Sequence, residues 1–406
     1  MKPAPRSAIK PVLFVTGHVP PDRIGPFARL HELENVELAL FGGRAKHGPA
    51  ELVRSWNADL PFPHRRVRQL DCGRLAASGR YRAVVCSTGG RLALPATWAG
   101  ARRARAPLIV WASLWAHPRS AVHLFSYMAL RRLYRSADAV VTYGPHVAAY
   151  VSARGARNVH VAPQPVDNAF WSAPVTTAPK DPAWPGEARV RFLFAGRPAR
   201  EKGLQTLVEA WSRSGLRAPG AALVLVGVGS DPSRASAAGA LERVRAMAGL
   251  PRTGAGHSAA DGHSAASGHS GRTGVSCLDP VSPERLREMY AAADVLVVPS
   301  IATPTFREPW GLVVNEAMNR GLPVIASDAV GAVAGGLVRD GRNGLVVPAG
   351  DSAALARALR RLADDPRLRA RMGAAGALDV QAYTHDAWAQ GFSRALSTLG
   401  LSRAHW

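Results

Sequence analysis

The stretch FREPWGLVVNEAMNRGLPVIASD, Phe306 to Asp328, carries two carboxylates eight positions apart, Glu308 and Glu316, in mostly apolar surroundings. With the preceding VLVVPS (295–300) it reads as strand, loop, helix and strand. The apolar β-branched run is followed by the loop IATPTFREP. A helical WGLVVNEAMNRG then ends at Gly321, where a glycine can take the left-handed cap. Glu308 falls in the loop at the strand's carboxyl end, and Glu316 about one turn into the helix. Gly311 lets the backbone approach a ligand, and a helix start offers unpaired N–H groups to an anion. Carboxylates in such a place accept hydrogen bonds from hydroxyls, as sugar and ribose rings require. Spacing alone fits equally well with one helix-start acid and one surface acid.

The same strand-then-helix alternation runs through the chain and predicts an α/β protein of parallel sheets. In the first half PVLFVTG (11–17), VELALFGG (36–43), AVVCST (83–88), PLIVWAS (107–113), AVVTYG (139–144) and VHVAPQ (159–164) read as strands. In the second half RVRFLFAG (189–196), AALVLVGVG (221–229), VSCLD (275–279), VLVVPS, LPVIASD (322–328) and GLVVPA (344–349) do. Nearly continuous apolar runs suit strands covered by helices on both faces. At 406 residues the chain exceeds one ordinary core. The expectation is two Rossmann-like doubly wound domains facing a cleft, residues 1–172 and 189–382, joined by a proline-rich linker at 173–188. Residues 383–406 hold a last helix with Thr384 as N-cap and Trp388, Phe392 and Leu396 on one face. Within the second domain, 252–274 includes a Gly/Ser/Ala repeat with His257, His263 and His269, expected as a disordered insert.

Three widely spaced cysteines, Cys72, Cys86 and Cys277, argue against a disulfide framework and for a reducing compartment. The net charge is +22, and residues 1–172 hold 24 Lys and Arg against 9 Asp and Glu. Such a field attracts phosphorylated substrates, anionic headgroups or nucleic acid, unless it only decorates solvated faces. No apolar run reaches the roughly 18 residues that span a bilayer. The helical PRSAVHLFSYMALRRLYRS (118–136) mixes apolar and basic residues, as a helix lying on a membrane surface does, and as an ordinary packed helix can.

FLFAGRPAREKGLQTLVEAW (192–211) reads as a strand, a glycine-containing loop and a helix, with Arg197, Arg200 and Lys202 where the loop meets the helix. Cations at a helix start oppose its dipole unless an anion binds there or water screens them. Beside a strand's carboxyl end they make a phosphate site.

The segments FAGRPAREKG, VLVVPS, REPWGLVVNEAMNRGLPVIASD and GRNGLVVPAGD together resemble the C-terminal domain of retaining glycosyltransferases of the GT-B fold, the large family four. Order and spacing match across 189–363, and Glu308 and Glu316 stand as that family's E-x7-E pair. The N-terminal half is similar more loosely, through its strand order and PQPVDNAFW (163–171). The resemblance implies that Gly196, Arg197 and Lys202 hold the donor's diphosphate and neutralise its growing charge. It implies that Glu308 contacts the donor sugar, and Glu316 the ribose. Backbone groups of Trp310, Gly311 and Leu312 would lie against sugar and phosphates. Gly25, in the loop after the first strand, stands near the family's glycine pair, here Gly-Pro. His117, after the fourth N-terminal strand, would correspond to a histidine beside the transferred sugar, and His123 fits a helix face instead. A core or surface histidine remains an equal reading of His117.

The expected activity is metal-independent transfer of a sugar, with retention, from a nucleotide diphosphate donor to a hydroxyl acceptor: a glycan, a small molecule or a lipid-linked chain. No cofactor and no metal are expected, since no D-x-D occurs in the chain. The location implied is the cytoplasm, at the inner face of the membrane. Two rivals stay open. A nucleotide-sugar epimerase on the same fold would need acid/base carboxylates that the first half has few of. A nucleic-acid-binding protein would explain the charge, but no binding motif of that class appears, so no nucleic-acid partner is expected.

Overall fold

The computed structural model describes residues 9–42, 59–118, 121–175, 184, 188–228, 268–270 and 274–403. It comprises two compact units, Met1–Asp167 with Tyr383–Trp406, and Asn168–Ala382. The first boundary falls at Asp167, five residues ahead of the expected one at Ser172, because Asn168–Ser172 packs with the second unit.

In the first unit seven strands, β1 Val12–Thr16, β2 Val36–Leu40, β3 His64–Arg66, β4 Ala83–Ser87, β5 Leu108–Ala112, β6 Ala139–Thr142 and β7 Val159–Val161, form one sheet. Its order is β3-β2-β1-β4-β5-β6-β7, and every pair is parallel. Among the described residues five helices connect them: α1 Pro21–Glu34, α2 Asp71–Ala76, α3 Ala93–Ala104, α4 Ala121–Ser136 and α5 Pro145–Ser152. Alternate side chains of β1 enter opposite cores. Val12 and Phe14 meet Phe27 and Leu30 of α1, while Leu13 and Val15 share a core with Cys72, Leu94 and Tyr134. That two-sided burial is why the strands read as unbroken apolar runs.

The second unit repeats the plan. Helix α6 Asn168–Ser172 opens it, followed by β8 Val190–Ala195, α7 Leu204–Ser214, β9 Ala221–Val226, β10 Gly268–Ser270, β11 Val275–Leu278, α8 Pro283–Ala292 and β12 Val295–Val298. Then come α9 Val313–Asn319, β13 Val324–Ser327, α10 Gly331–Ala334, β14 Gly344–Val347, α11 Ser352–Asp364 and α12 Pro366–Asp379. The sheet order is β10-β11-β9-β8-β12-β13-β14. All pairs are parallel except β10 with β11. Gly268–Ser270, within the stretch expected to be a disordered insert, is therefore an edge strand with His269 opposite Ser276. His257 and His263 lie outside the described residues, as does most of 173–188.

Helices start where side chains can cap them. Asp351 accepts from the N–H groups of Ala353 and Ala354, Asp365 from Leu368, and Ser282 from Arg285. The last helix, α13 His385–Thr398, has Thr384 accepting from the Ala387 N–H. It belongs to the first unit, where Trp388, Phe392 and Leu396 are buried against Phe14, Phe27 and Trp111. The chain thus returns to its first core after completing the second. A second anchor lies beyond that helix. Glu34, fully buried, accepts from the Arg82 guanidinium at 2.7 Å, the Ser402 hydroxyl at 2.7 Å and the Arg403 N–H at 2.9 Å.

Removing Trp388, whose indole touches three aromatic rings of that core, is expected to cost the first unit about 3–5 kcal/mol. Hydrogen exchange on Trp388→Ala should show protection falling in β1–β7. Unchanged protection there would contradict the packing of α13.

Candidate functional site

In a doubly wound sheet, ligands bind beyond the carboxyl ends of the strands, where the strand order reverses. In the second unit that point lies between β8 and β12, neighbours in space but separated in sequence by β9, β10 and β11. The loops that leave these two strands carry the predicted charged residues.

After β8 the backbone passes Gly196, whose N–H donates to the Val226 carbonyl at 3.0 Å, and Arg197. It then forms a short 3₁₀ turn, Arg200–Lys202. The expected helix start is therefore one step later, at Leu204, with Gly203 as its N-cap at φ +69°. Gly203 is needed twice over. Its dihedral lies where side chains are strained, and a Cβ there would overlap the carbonyl oxygen of Pro299, which follows β12. That contact presses the 200–203 turn onto the end of the neighbouring strand. The Ile301 N–H adds a bond to the Glu201 carbonyl at 2.9 Å.

The turn so fixed aims Lys202 across the switch point. Its Nζ stands 2.5 Å from Oε2 of Glu308, a residue only 8% exposed. The Ser300 hydroxyl lies 3.4 Å from the same oxygen. Residues 106 positions apart are thus joined in one ion pair. Arg197 reaches a different acid, Glu201, at 3.4 Å and remains half-exposed. Arg200 is exposed.

The Glu308 loop is rigid for reasons in its own sequence. Glu308 forms an isolated bridge with Val330, and the Trp310 carbonyl accepts from the Ala332 N–H at 2.8 Å. The Trp310 ring is buried, its Nε1 donating to Asn315 Oδ1 at 2.8 Å. A Cβ on Gly331 would strike the Pro309 carbonyl, and one on Gly335 would approach the Trp310 ring within 2.5 Å. The helix expected from Trp310 begins instead at Val313: Gly311 lies outside helical geometry, and Leu312, already at helical dihedrals, is the N-cap. Gly311 sits at φ +95°. Among the described residues no backbone carbonyl accepts from the N–H groups of Gly311 and Leu312, and a Cβ on Gly311 would stand 4.0 Å from the Glu308 side chain.

Glu316, in α9, accepts from the hydroxyl of Tyr290 at 2.8 Å. Burial, and then the charge of Glu316, push the Tyr290 hydroxyl well above its ordinary range, so it stays a donor.

Gly25 and His117 belong to the first unit. Gly25 lies within α1 rather than in a loop, because Pro21 starts that helix early. A Cβ at Gly25 would collide with the His385 ring of α13, so the absent side chain serves helix packing. His117 follows β5 as expected. Its Nδ1 is 3.5 Å from the Tyr150 hydroxyl, and its ring meets the Tyr127 ring edge-on at 5.0 Å. His123 lies in α4, and its side chain is outside the described residues. The residues that sequence reasoning missed are Gly203, Ser300, Asn315 and Tyr290. Of these only Gly203, directly after Lys202 and before an apolar periodic run, had a local signal.

Comparison with known proteins gives the family and the fold. Residues 178–379 match the family described as Glycosyl transferases group 1, and residues 15–167 match the Glycosyl transferase 4-like domain. The chain belongs to these glycosyltransferases. It is 44% identical over 107 residues to the D-inositol 3-phosphate glycosyltransferase of Streptomyces avermitilis, covering 26% of this chain and 22% of that one. To the protein of the same name from Nocardia farcinica it is 34% identical over 222 residues, 54% of this chain and 41% of the other. The chain thus spans about a fifth to two fifths of the length of these curated relatives. Among solved structures it is similar to Anabaena HepE in complex with UDP and glucose, at 19% identity. That likeness covers 96% of this chain and 100% of that one with a TM-score of 0.69. It is also similar to the sucrose-phosphate synthase of Thermosynechococcus elongatus, at 22% identity, 96% and 99% coverage and a TM-score of 0.65. These likenesses show the fold, that of the GT-B glycosyltransferases.

Gly203→Ala is expected to destabilise the second unit by about 1–3 kcal/mol through backbone strain alone, with the overlap at Pro299 adding to it. Urea unfolding of the variant measures this. A midpoint equal to wild type would show that the 200–203 turn is not pinned as described.

Proposed function

We propose that this chain is a retaining glycosyltransferase that moves a sugar from a nucleoside diphosphate donor to a hydroxyl acceptor without a metal ion. The observation that carries the reading is the Lys202–Glu308 pair at the switch point, 2.5 Å apart and largely buried. A cation and a carboxylate held there offer one group to an anionic diphosphate and one to sugar hydroxyls, the two halves of such a donor.

In this reading Lys202 and Arg197 face the diphosphate with the N–H groups of Gly311 and Leu312. Gly196 keeps the strand end open to close approach, Glu308 orients the sugar, and Glu316 holds the ribose. The acceptor oxygen forms a bond to the anomeric carbon on the face that the diphosphate leaves. The bond from that carbon to the phosphate oxygen breaks with its electron pair going to the diphosphate. The acceptor's proton passes to a diphosphate oxygen. Positive charge from Lys202 and Arg197 stabilises the leaving group as its charge grows, and one such preorganised donor is worth about 2.7–4 kcal/mol. His117, in the first unit, is assigned to the neighbourhood of the transferred sugar, and Gly25 to the packing that shapes the start of α1.

The acceptor is assigned to the first unit. Relatives named for D-inositol 3-phosphate make a phosphorylated polyol one candidate, and a lipid-linked alcohol is the other. Exposed Met128, Arg132 and Arg135 share a face of α4, as a contact with an anionic membrane surface requires. No helix among the described residues is long and apolar enough to cross a membrane. A nucleotide-sugar substrate and three cysteines that form no disulfide fit a cytoplasmic location.

A thermal-shift panel of UDP, GDP, ADP, TDP and their sugars, with and without EDTA, tests the donor. One base should raise the melting temperature, unaffected by EDTA. Proton NMR of the product formed on inositol 3-phosphate or a polyprenyl-diphosphate-linked sugar should show the donor's anomeric configuration kept. Silence across the panel from folded protein would overturn the donor assignment. An inverted anomer would overturn retention.

A further inference from the structure

Tyr290 is a tyrosine with no exposure at all, on a helix that the proposed chemistry does not use. Its ring packs edge-on against Trp171 of α6, with centroids 5.7 Å apart. Its hydroxyl points the other way and donates to Oε2 of Glu316 at 2.8 Å. A buried hydroxyl without a partner is destabilising, so phenylalanine would be the simpler residue if only packing mattered here.

We infer that Tyr290 is a positioning residue for nucleotide recognition, fixing the Glu316 carboxylate so that it meets the ribose hydroxyls. The inference rests on the proposed assignment of Glu316 to the ribose. A glutamate side chain has three rotatable bonds, and a long carboxylate that must bond two vicinal hydroxyls gains by being held in one rotamer beforehand. Tyr290 supplies that hold from a rigid base. One turn before it on α8, Arg287 donates to the Phe170 carbonyl at 3.1 Å, with its guanidinium over the Phe170 ring at 4.5 Å. On α9, Asn319 donates to Asn168 Oδ1 at 2.9 Å. Helix α6 is thus fastened both to α8, which carries the tyrosine, and to α9, which carries the glutamate. The two helices cannot slide past each other without breaking those bonds. The hydroxyl stays protonated because burial and the adjacent carboxylate both oppose its ionisation, so its hydrogen always points to Glu316.

The experiment compares affinities, by calorimetry, of whichever of UDP, GDP, ADP and TDP binds with its counterpart lacking the ring hydroxyls. The counterpart is the 2′,3′-dideoxy form of the first three and the 3′-deoxy form of TDP. Wild type should prefer the hydroxylated nucleotide, and Glu316→Ala should lose that preference. Tyr290→Phe keeps the ring against Trp171 and is expected to reduce the preference about tenfold, while the affinity for the deoxy form stays unchanged. A residue that only stabilised the fold would lower both affinities or the melting temperature alike and leave the ratio alone. Should Glu316→Ala abolish the preference while Tyr290→Phe retains it, the positioning role is overturned and the ribose assignment stands. Should wild type show no preference, or Glu316→Ala keep it, the ribose assignment falls and the inference with it. If the phenylalanine variant melts too early for calorimetry at room temperature, the same ratio is measured for all three proteins at a lower temperature.

Discussion

The ion pair between Lys202 and Glu308 is the constraint on which the second unit is organised. Two charges with little access to water lose hydration that only close mutual contact can offset, so a misplacement of either leaves a buried charge alone. The surrounding architecture keeps them together. Pro299, after β12, presses on Gly203, after β8, and the Ile301 N–H binds the carbonyl of Glu201. On the other side, Val330, Gly331 and Ala332 grip the backbone from Glu308 to Trp310. Two of these contacts, Pro299 on Gly203 and Pro309 on Gly331, are too close for a side chain, which is why glycines stand there.

A pair so placed also explains how a site for a charged ligand can exist before the ligand arrives. Lys202 alone, beside a buried strand end, would be costly to desolvate, and Glu308 alone equally so. Joined, they neutralise each other, and under the proposed function a diphosphate would offer Lys202 a second anion. Such groups do not reorganise as charge shifts, and this preorganisation is what makes electrostatic stabilisation effective in a dry site. The physical reason for the arrangement lies in how β8 and β12 come to be neighbours.

Much of this was written in the sequence. Continuous apolar runs such as AALVLV (221–226) announce strands buried on both faces, and the parallel order follows from helices between them. Thr384 with Trp388, Phe392 and Leu396 announced the returning helix. Other features were hidden by competing signals. HRR (64–66) reads as a charge cluster because an edge strand needs only one neighbour and leaves its arginines in water. Pro26 disguises α1, although Pro21 at its first turn is a start signal. Trp310 looks helical by composition, yet its bond to Asn315 and its packing on Gly335 are contacts no periodicity contains. Tyr290 lies 26 positions from Glu316, so nothing local could announce the hydroxyl between them. Residue type and spacing disclosed Glu308 and Lys202, but their contact depends on strand order.

The most direct test of the account compares a nucleoside diphosphate with its monophosphate by calorimetry, in wild type and in Lys202→Met, which keeps most of the aliphatic stem. If Lys202 serves the diphosphate, wild type binds the diphosphate more tightly and the variant loses that preference, roughly tenfold or more for a charge-assisted bond, with monophosphate affinity little changed. If the ratio survives in the variant, the Lys202–Glu308 pair is structural only, and the donor must be held elsewhere.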